Sequence, residues 1–287
     1  MDSALQIIVN GLIAGSLYAC IALGFNLIFS VTKFFNLAHG GMVLIGAYTT
    51  LALRNSYGVS LIPALFAGVA VAALAGMILE KILFSKLRKR HASHMVFLVA
   101  SLGAYTAIQA GIALIFSSQF FSIPLSFEPP LIHMGPVSIT GLQLLIMIIT
   151  VCVFLLLVFF MRKTTLGKSF VACADDSEVA RIVGIDTDRI LLIAFAAGSA
   201  LAGLGGILTG LDTGIEPTAG LSILLKAIIA AVIGGTGSIS GAFVGSYVLG
   251  LVENIGIWGL AAAWKDAIAF LLLILFLIFR PQGLFKR

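Results

Sequence analysis

Charge is scarce in this sequence. Only 10% of its 287 residues are Asp, Glu, Lys or Arg, while 60% are apolar; a soluble domain carries roughly a quarter charged residues. So little charge would leave a very large apolar surface facing water, which soluble proteins avoid. Lipid is the solvent that suits such a chain. Long polar stretches are also missing. Those near residues 118–140 and 162–190 are too short for a second folded domain. We expect a single transmembrane domain over residues 1–287, with any energy source or soluble receptor on another chain.

Other absences narrow the function. Cys20, Cys152 and Cys173 are the only cysteines, and their spacing suits neither a metal nor a redox pair. Cys20 and Cys152 fall in apolar runs, where a small buried hydrophobe is the ordinary role. No nucleophile–base pair or metal-ligand cluster stands out, so no catalytic or metal residue is assigned. Span centres lack a clear carboxylate or an arginine ladder, which argues against proton coupling and voltage sensing. No selectivity-filter sequence is present. Gly167-Lys168-Ser169 echoes the end of a phosphate-binding loop, but Arg162 stands where that motif needs glycine and no strand precedes it. This chain is therefore expected to bind no ATP and no other cofactor, and no nucleic acid.

Long apolar runs are what the sequence does have. They cover Ala4–Val31, about Asn36–Leu53, Val59–Phe84, Met95–Ser117, Gly141–Met161, Ile190–Leu211, Ser222–Gly235, Gly241–Trp258 and Ala267–Phe279. A spanning helix needs about 20 mostly apolar residues. Seven runs read as spans, and the second and seventh are short or interrupted by glycine, which gives eight or nine spans. The first run lacks a basic n-region and is long, the opposite of a cleaved signal peptide, so a retained span is expected.

Basic residues test the alternation independently. If nine runs cross, one side receives Lys33, Lys81, Lys86, Arg88, Lys89, Arg90, Arg162, Lys163, Lys168, Arg181, Arg189, Arg280, Lys286 and Arg287. That is fourteen of the seventeen basic residues; Arg54, Lys226 and Lys265 fall elsewhere. By the positive-inside rule this side is cytoplasmic, with the N-terminus outside and the C-terminus inside. Residues 118–140 then lie outside, where Pro124, Pro129, Pro130 and Pro136 oppose a long helix. A folded cap and a simple connector both fit that segment.

Between Arg162 and Arg189 the sequence mixes five basic with five acidic residues. Asp175 and Asp176 can cap a helix start, where backbone N–H groups and the helix dipole favour carboxylates, and Gly184 is a natural stop. Val179, Ala180, Ile182 and Val183 form a short apolar stripe, with Glu178 and Arg181 turned aside, and Asp186 or Thr187 can cap the next span. Such a helix suits either a groove on a partner or the membrane surface.

Glycine interrupts the pattern in both halves. Asn36–Tyr48 resembles Gly237–Tyr247, allowing one gap, and both open a helix after small residues. Broken segments at matching places point to a transport path, although glycine-rich helix packing gives the same pattern. Asn36, His39, Gly40, Gly235 and Gly237 are the path candidates, packing being the plainer role for His39. Glu80, Glu253 and the Lys265–Asp266 pair lie near span ends, where charges reach the interface or each other cheaply. A structural role is expected for each.

Several stretches together resemble the permease subunits of branched-chain amino acid ABC importers, of the hydrophobic amino acid uptake type. They are Asn10–Ala19 (NGLIAGSLYA) with Ala22–Gly24, Phe35–Gly40 (FNLAHG), Thr165–Ile185, Ala231–Ala242 (AVIGGTGSISGA) and Arg280–Phe285 (RPQGLF), in family order. The resemblance implies an all-α polytopic fold of the type II ABC importer class. It further implies a second permease subunit, two cytoplasmic ATP-binding subunits, an external substrate-binding protein and a bacterial inner-membrane location. The segment matching the family's ATPase-coupling loop includes Ala174, Asp175, Asp176, Glu178, Val179, Arg181 and Gly184. The strict EAA…LP form of that loop is absent. Substrates of such systems include branched-chain and other amino acids, urea and short amides; a secondary transporter or channel is the alternative of another class.

Overall fold

A computed structural model describes residues 2–125, 129–280 and 282–285 of the chain. Met1, Pro281, Lys286 and Arg287, and with them parts of the basic tail and the Arg280–Phe285 stretch, lie outside the described residues. So do residues 126–128 of the segment 118–140.

The chain is mostly helical. Long apolar helices are α1 (Asp2–Thr32), α3 (Leu61–Leu79), α5 (His94–Phe116), α6 (Gly141–Lys163), α9 (Thr187–Asp212) and α11 (Ile239–Gly256). A π-turn at Glu80–Phe84 joins α3 to α4 (Ser85–Lys89) in one continuous rod. Shorter helices are α2 (His39–Asn55), α7 (Thr165–Asp175), α8 (Ser177–Ile182), α10 (Ala219–Gly234) and α12 (Lys265–Phe279). Among the described residues, six helices are long and apolar enough to cross a membrane by length and composition: Ala4–Thr32, Leu61–Lys89, His94–Phe116, Gly141–Lys163, Thr187–Asp212 and Ile239–Gly256. The eight or nine spans read from the sequence are thus not all matched at full length. α2 is short because Asn36–Ala38 forms a turn, the Asn36 carboxamide oxygen accepting from the Ala38 N–H (3.1 Å), so the helix starts only at His39.

Burial separates an inner from an outer layer. The best apolar stretch of α1 is 78% buried and that of α9 61%, whereas those of α5 and α6 are each 17% buried. Leu114, Leu156 and Phe159 on the outer helices are exposed. In lipid such side chains meet acyl chains, so helix association relies on close packing and small residues. At the crossing of α2 and α9, a Cβ on Gly46 would strike the backbone of Gly203. At that of α1 and α11, a Cβ on Gly11 would lie 2.9 Å from Leu251 Cα.

The two ends of the bundle differ. At one end β1 (Leu131–Met134) and β2 (Val137–Thr140) pair antiparallel, Leu131 opposite Thr140 and Met134 opposite Val137. This adds a small sheet to the all-helical fold expected from the sequence. Gly135, at φ +64°, turns the hairpin, and Arg54 pins the preceding segment by donating to the Pro124 carbonyl (2.6 and 3.0 Å). Ile123 is buried and donates its N–H to the Gly210 carbonyl. The segment is folded onto the bundle rather than merely strung across it. At the other end, α7 and α8 connect α6 to α9.

Candidate functional site

The α2 start lies in the bundle interior. Asn36 is buried and spends its carboxamide oxygen on the local turn, while the Leu37 N–H donates to Ser101 Oγ (3.0 Å) on α5. His39 is fully buried, its Nε2 lying 3.3 Å from the Ile21 carbonyl of α1 and its Nδ1 lacking a hydrogen-bond partner among the described residues. Gly40 permits close approach of the α10 start, since a Cβ there would lie 2.7 Å from the Gly220 carbonyl oxygen. Two helix beginnings therefore meet at Gly40 and Gly220. Non-helical backbone at membrane depth survives only when buried in protein or lining a cavity, and here it is buried.

Gly235 and Gly237 sit at a different level of α1. Both have positive φ, +108° and +88°, which L side chains rarely adopt. The Gly237 N–H donates to Asn26 Oδ1 (2.6 Å) and Asn26 Nδ2 donates to the Ser238 carbonyl (2.7 Å). Asn26 thereby clamps the turn between α10 and α11. Leu284 and Phe285 donate their N–H groups to Ile233 and Gly234 carbonyls, sealing the end of α10. As expected from the sequence, both glycine-broken segments open helices, at His39 and Ile239. Among the described residues no hydrogen bond joins the two groups into one site.

At the hairpin end a cavity of about 680 Å³ opens among α1, α9, α10, α11 and α12. Lys226 on α10 reaches its wall with its side chain only 18% exposed. Its Nζ lies 2.9 Å from Asp266 Oδ1 at the α12 start and 3.6 Å from Glu253 Oε1 on α11. The Tyr18 hydroxyl donates to Glu253 Oε2 (2.7 Å), and the Lys226 ammonium lies 5.7 Å from the Tyr18 ring centre, within cation–π range. Glu253 is fully buried. The sequence supplied these charges singly near span ends. That Lys226 would tie Glu253 to Asp266 was not legible, because the three stand on different helices; the scarcity of charge was the one available signal.

The opposite end carries α7 and α8. Thr164 caps α7 by accepting from the Gly167 N–H (2.9 Å), and Asp176 caps α8 by accepting from the Glu178 and Val179 N–H groups (2.8 and 3.0 Å). Ala174 is buried and Asp175 closes α7. The Ile185 N–H donates to the Ala180 carbonyl and Gly184, at φ +89°, ends α8. Of the apolar stripe only Ala180 faces inward; Val179, Ile182 and Val183 are 54%, 83% and 69% exposed. Arg181 leans back, donating to Thr187 Oγ1 (3.2 Å). Burial pushes the Cys173 thiol above its ordinary pKa, which disfavours the thiolate. Lys33, Arg88 and Arg181, from three separate connections, line one pocket of about 290 Å³. Three of the fourteen basic residues grouped by counting spans thus meet here in space. The sequence missed α7, although Thr164 ahead of it is a cap signal.

A helical bundle with lipid-suited outer faces, interior helix breaks and an amphipathic helix pair between two long helices defines a multi-pass membrane permease. The family model described as "Branched-chain amino acid transport system / permease component" matches residues 7–277, and the chain belongs to that family. It is 33% identical, over 99% of its own length and 96% of theirs, to two high-affinity branched-chain amino acid transport system permease proteins. These are BraD of Pseudomonas aeruginosa and LivH of Escherichia coli K12. PsaBC from Streptococcus pneumoniae, solved in complex with a Fab, shares the fold at TM-score 0.55 and 13% identity. That match covers 95% of this chain and 91% of the other.

Proposed function

We propose that this chain is one permease subunit of an ATP-driven importer of branched-chain or other hydrophobic amino acids in the bacterial plasma membrane. The observation that carries this reading is α8. Val179 and Ile182 on a capped six-residue helix, and Val183 at its end, stand exposed, held between α6 and α9 at the end where basic residues collect. Such a stripe suits a groove on a partner, and the basic surroundings suit the cytoplasm. Two cytoplasmic ATP-binding subunits would engage it, with a second permease subunit alongside and a substrate-binding protein at the hairpin end. Nine crossings then put the N-terminus outside and the C-terminus inside, with α2, α10 and α12 as short spans. The likeness to BraD and LivH, permeases of branched-chain amino acid systems, supports branched-chain amino acids over urea and short amides.

The mechanism is alternating access. Closure of the ATPase pair on ATP would push α8 and its neighbour α7. The α7 end is packed under α6 and α9, so the push would reach the long helices. Rocking them would open the path first toward the hairpin end, then toward the α8 end. Capture through a tag on this chain checks the assembly: an ATP-binding subunit and a second permease should co-purify in stoichiometric amount. Recovery of this chain alone, from cells expressing its neighbours, contradicts it.

A further inference from the structure

We infer that the cavity at the hairpin end is a transient binding site for a free amino-acid zwitterion, its carboxylate held by Lys226 and its ammonium by Asp266. The inference rests on the importer reading above and adds where in this subunit the substrate pauses. Three observations carry it.

The first is unspent hydrogen-bonding capacity. An ammonium has three donors. Lys226 forms an ion pair with Asp266 at 2.9 Å, and its 3.6 Å separation from Glu253 is too long for a hydrogen bond. Glu253 Oε1 correspondingly has no hydrogen-bond partner among the described residues. Lys226 is thus held from behind by the buried carboxylate yet keeps donors for something in front. Asp266 is 63% exposed in its side chain and has acceptor sites beyond the one that meets Lys226.

The second is shape and polarity. The cavity, about 680 Å³, falls within the roughly 300–1,000 Å³ of small-molecule sites. Its α10–α12 side carries both signs of charge, and on its α1 side Ile13, Ala14 and Leu17 form an apolar strip between Asn10 and Tyr18. A molecule with a zwitterionic head and a branched aliphatic tail matches both walls at once. The third is cost. Glu253 is fully buried and Lys226 mostly so, and a buried pair adds little stability over an apolar replacement. Fold maintenance alone does not account for Lys226 and Glu253.

The test is equilibrium binding of tritiated L-leucine to the purified permease–ATPase complex without its binding protein. Competitors are L-leucinamide, which lacks the carboxylate, and 4-methylpentanoate, which lacks the ammonium. Both should compete about tenfold more weakly than leucine, the factor expected from one lost charge-assisted contact. The double variant Lys226→Met/Glu253→Gln leaves no buried charge unpaired; it should bind leucine about tenfold more weakly and no longer distinguish leucinamide. Asp266→Asn, at an exposed position, should lose the discrimination against 4-methylpentanoate. Equal competition by all three compounds in the wild type, or wild-type discrimination in Asp266→Asn, overturns the site even if the double variant fails to assemble. Uptake of leucine by the same complex, with binding protein and ATP supplied, separates the two levels. Transport without discrimination sinks the site alone; absence of any amino-acid uptake sinks the importer reading with it.

Discussion

Single glycines set how close these helices come, and the structure separates those that must be glycine from those that need not be. A Cβ on Gly46 meets the backbone of Gly203, which cannot swing aside as a side chain tip can. Gly46→Val should therefore lower stability by about 1–3 kcal/mol, the usual cost of overpacking, seen as an earlier thermal transition in detergent. Gly103, on α5, has nothing within 4 Å of its would-be Cβ. Gly103→Ala should be neutral or stabilise by up to about 1 kcal/mol through helix propensity. Equal losses in both variants would contradict the crossing described here. Sequence made the interior polar positions Asn36 and His39 conspicuous, because they interrupt an apolar run. It could not reveal that Asn36 is occupied in a local turn, nor that Arg54 holds the Pro124 carbonyl across 70 residues of chain. Arg54→Ala should free residues 118–125, raising the rate of proteolytic cleavage there several-fold while the helices stay protected.

At the scale of elements, α8 was largely readable: Asp176 as its cap, the Val179–Val183 stripe and Gly184 as its stop follow from local chemistry that a short window contains. Which way the stripe faces depends on how α7 packs under α6 and α9, and that is tertiary information. Replacing Val179, Ile182 and Val183 together by serine should cut co-purification of the ATP-binding subunit several-fold. The thermal transition of this chain should stay put, since the three side chains are exposed. Asp176→Ala should cost about 1 kcal/mol of local helix stability through the lost cap and weaken co-purification in the same direction. Unchanged recovery of the partner in both variants would remove α8 as the contact. The hairpin is signalled only by the short alternation of Val137–Thr140 and by Gly135-Pro136 as a turn, and the four prolines of the segment obscure it.

For the whole molecule, apolar excess was enough to establish a membrane protein, and alternation of basic residues enough to separate two ends. Span counting reached further than length alone supports, because α2, α10 and α12 have 17, 16 and 15 residues. Helices that short can complete a crossing where neighbouring helices shield their ends, as the Gly40–Gly220 contact does for α2 and α10. What no window of sequence holds is the convergence of Lys226, Glu253 and Asp266 on one cavity, or of Lys33, Arg88 and Arg181 on one pocket. Both arise only when helices distant in sequence are brought side by side. The central claim, that transport by this subunit is driven by ATP on partner chains, is tested most directly by uptake into proteoliposomes. Vesicles holding the complete complex, with binding protein outside and ATP inside, should accumulate radiolabelled leucine against its gradient, and the same vesicles without ATP should not. Accumulation or equilibration of leucine by this chain alone, with neither ATP nor an ATPase present, would contradict the account.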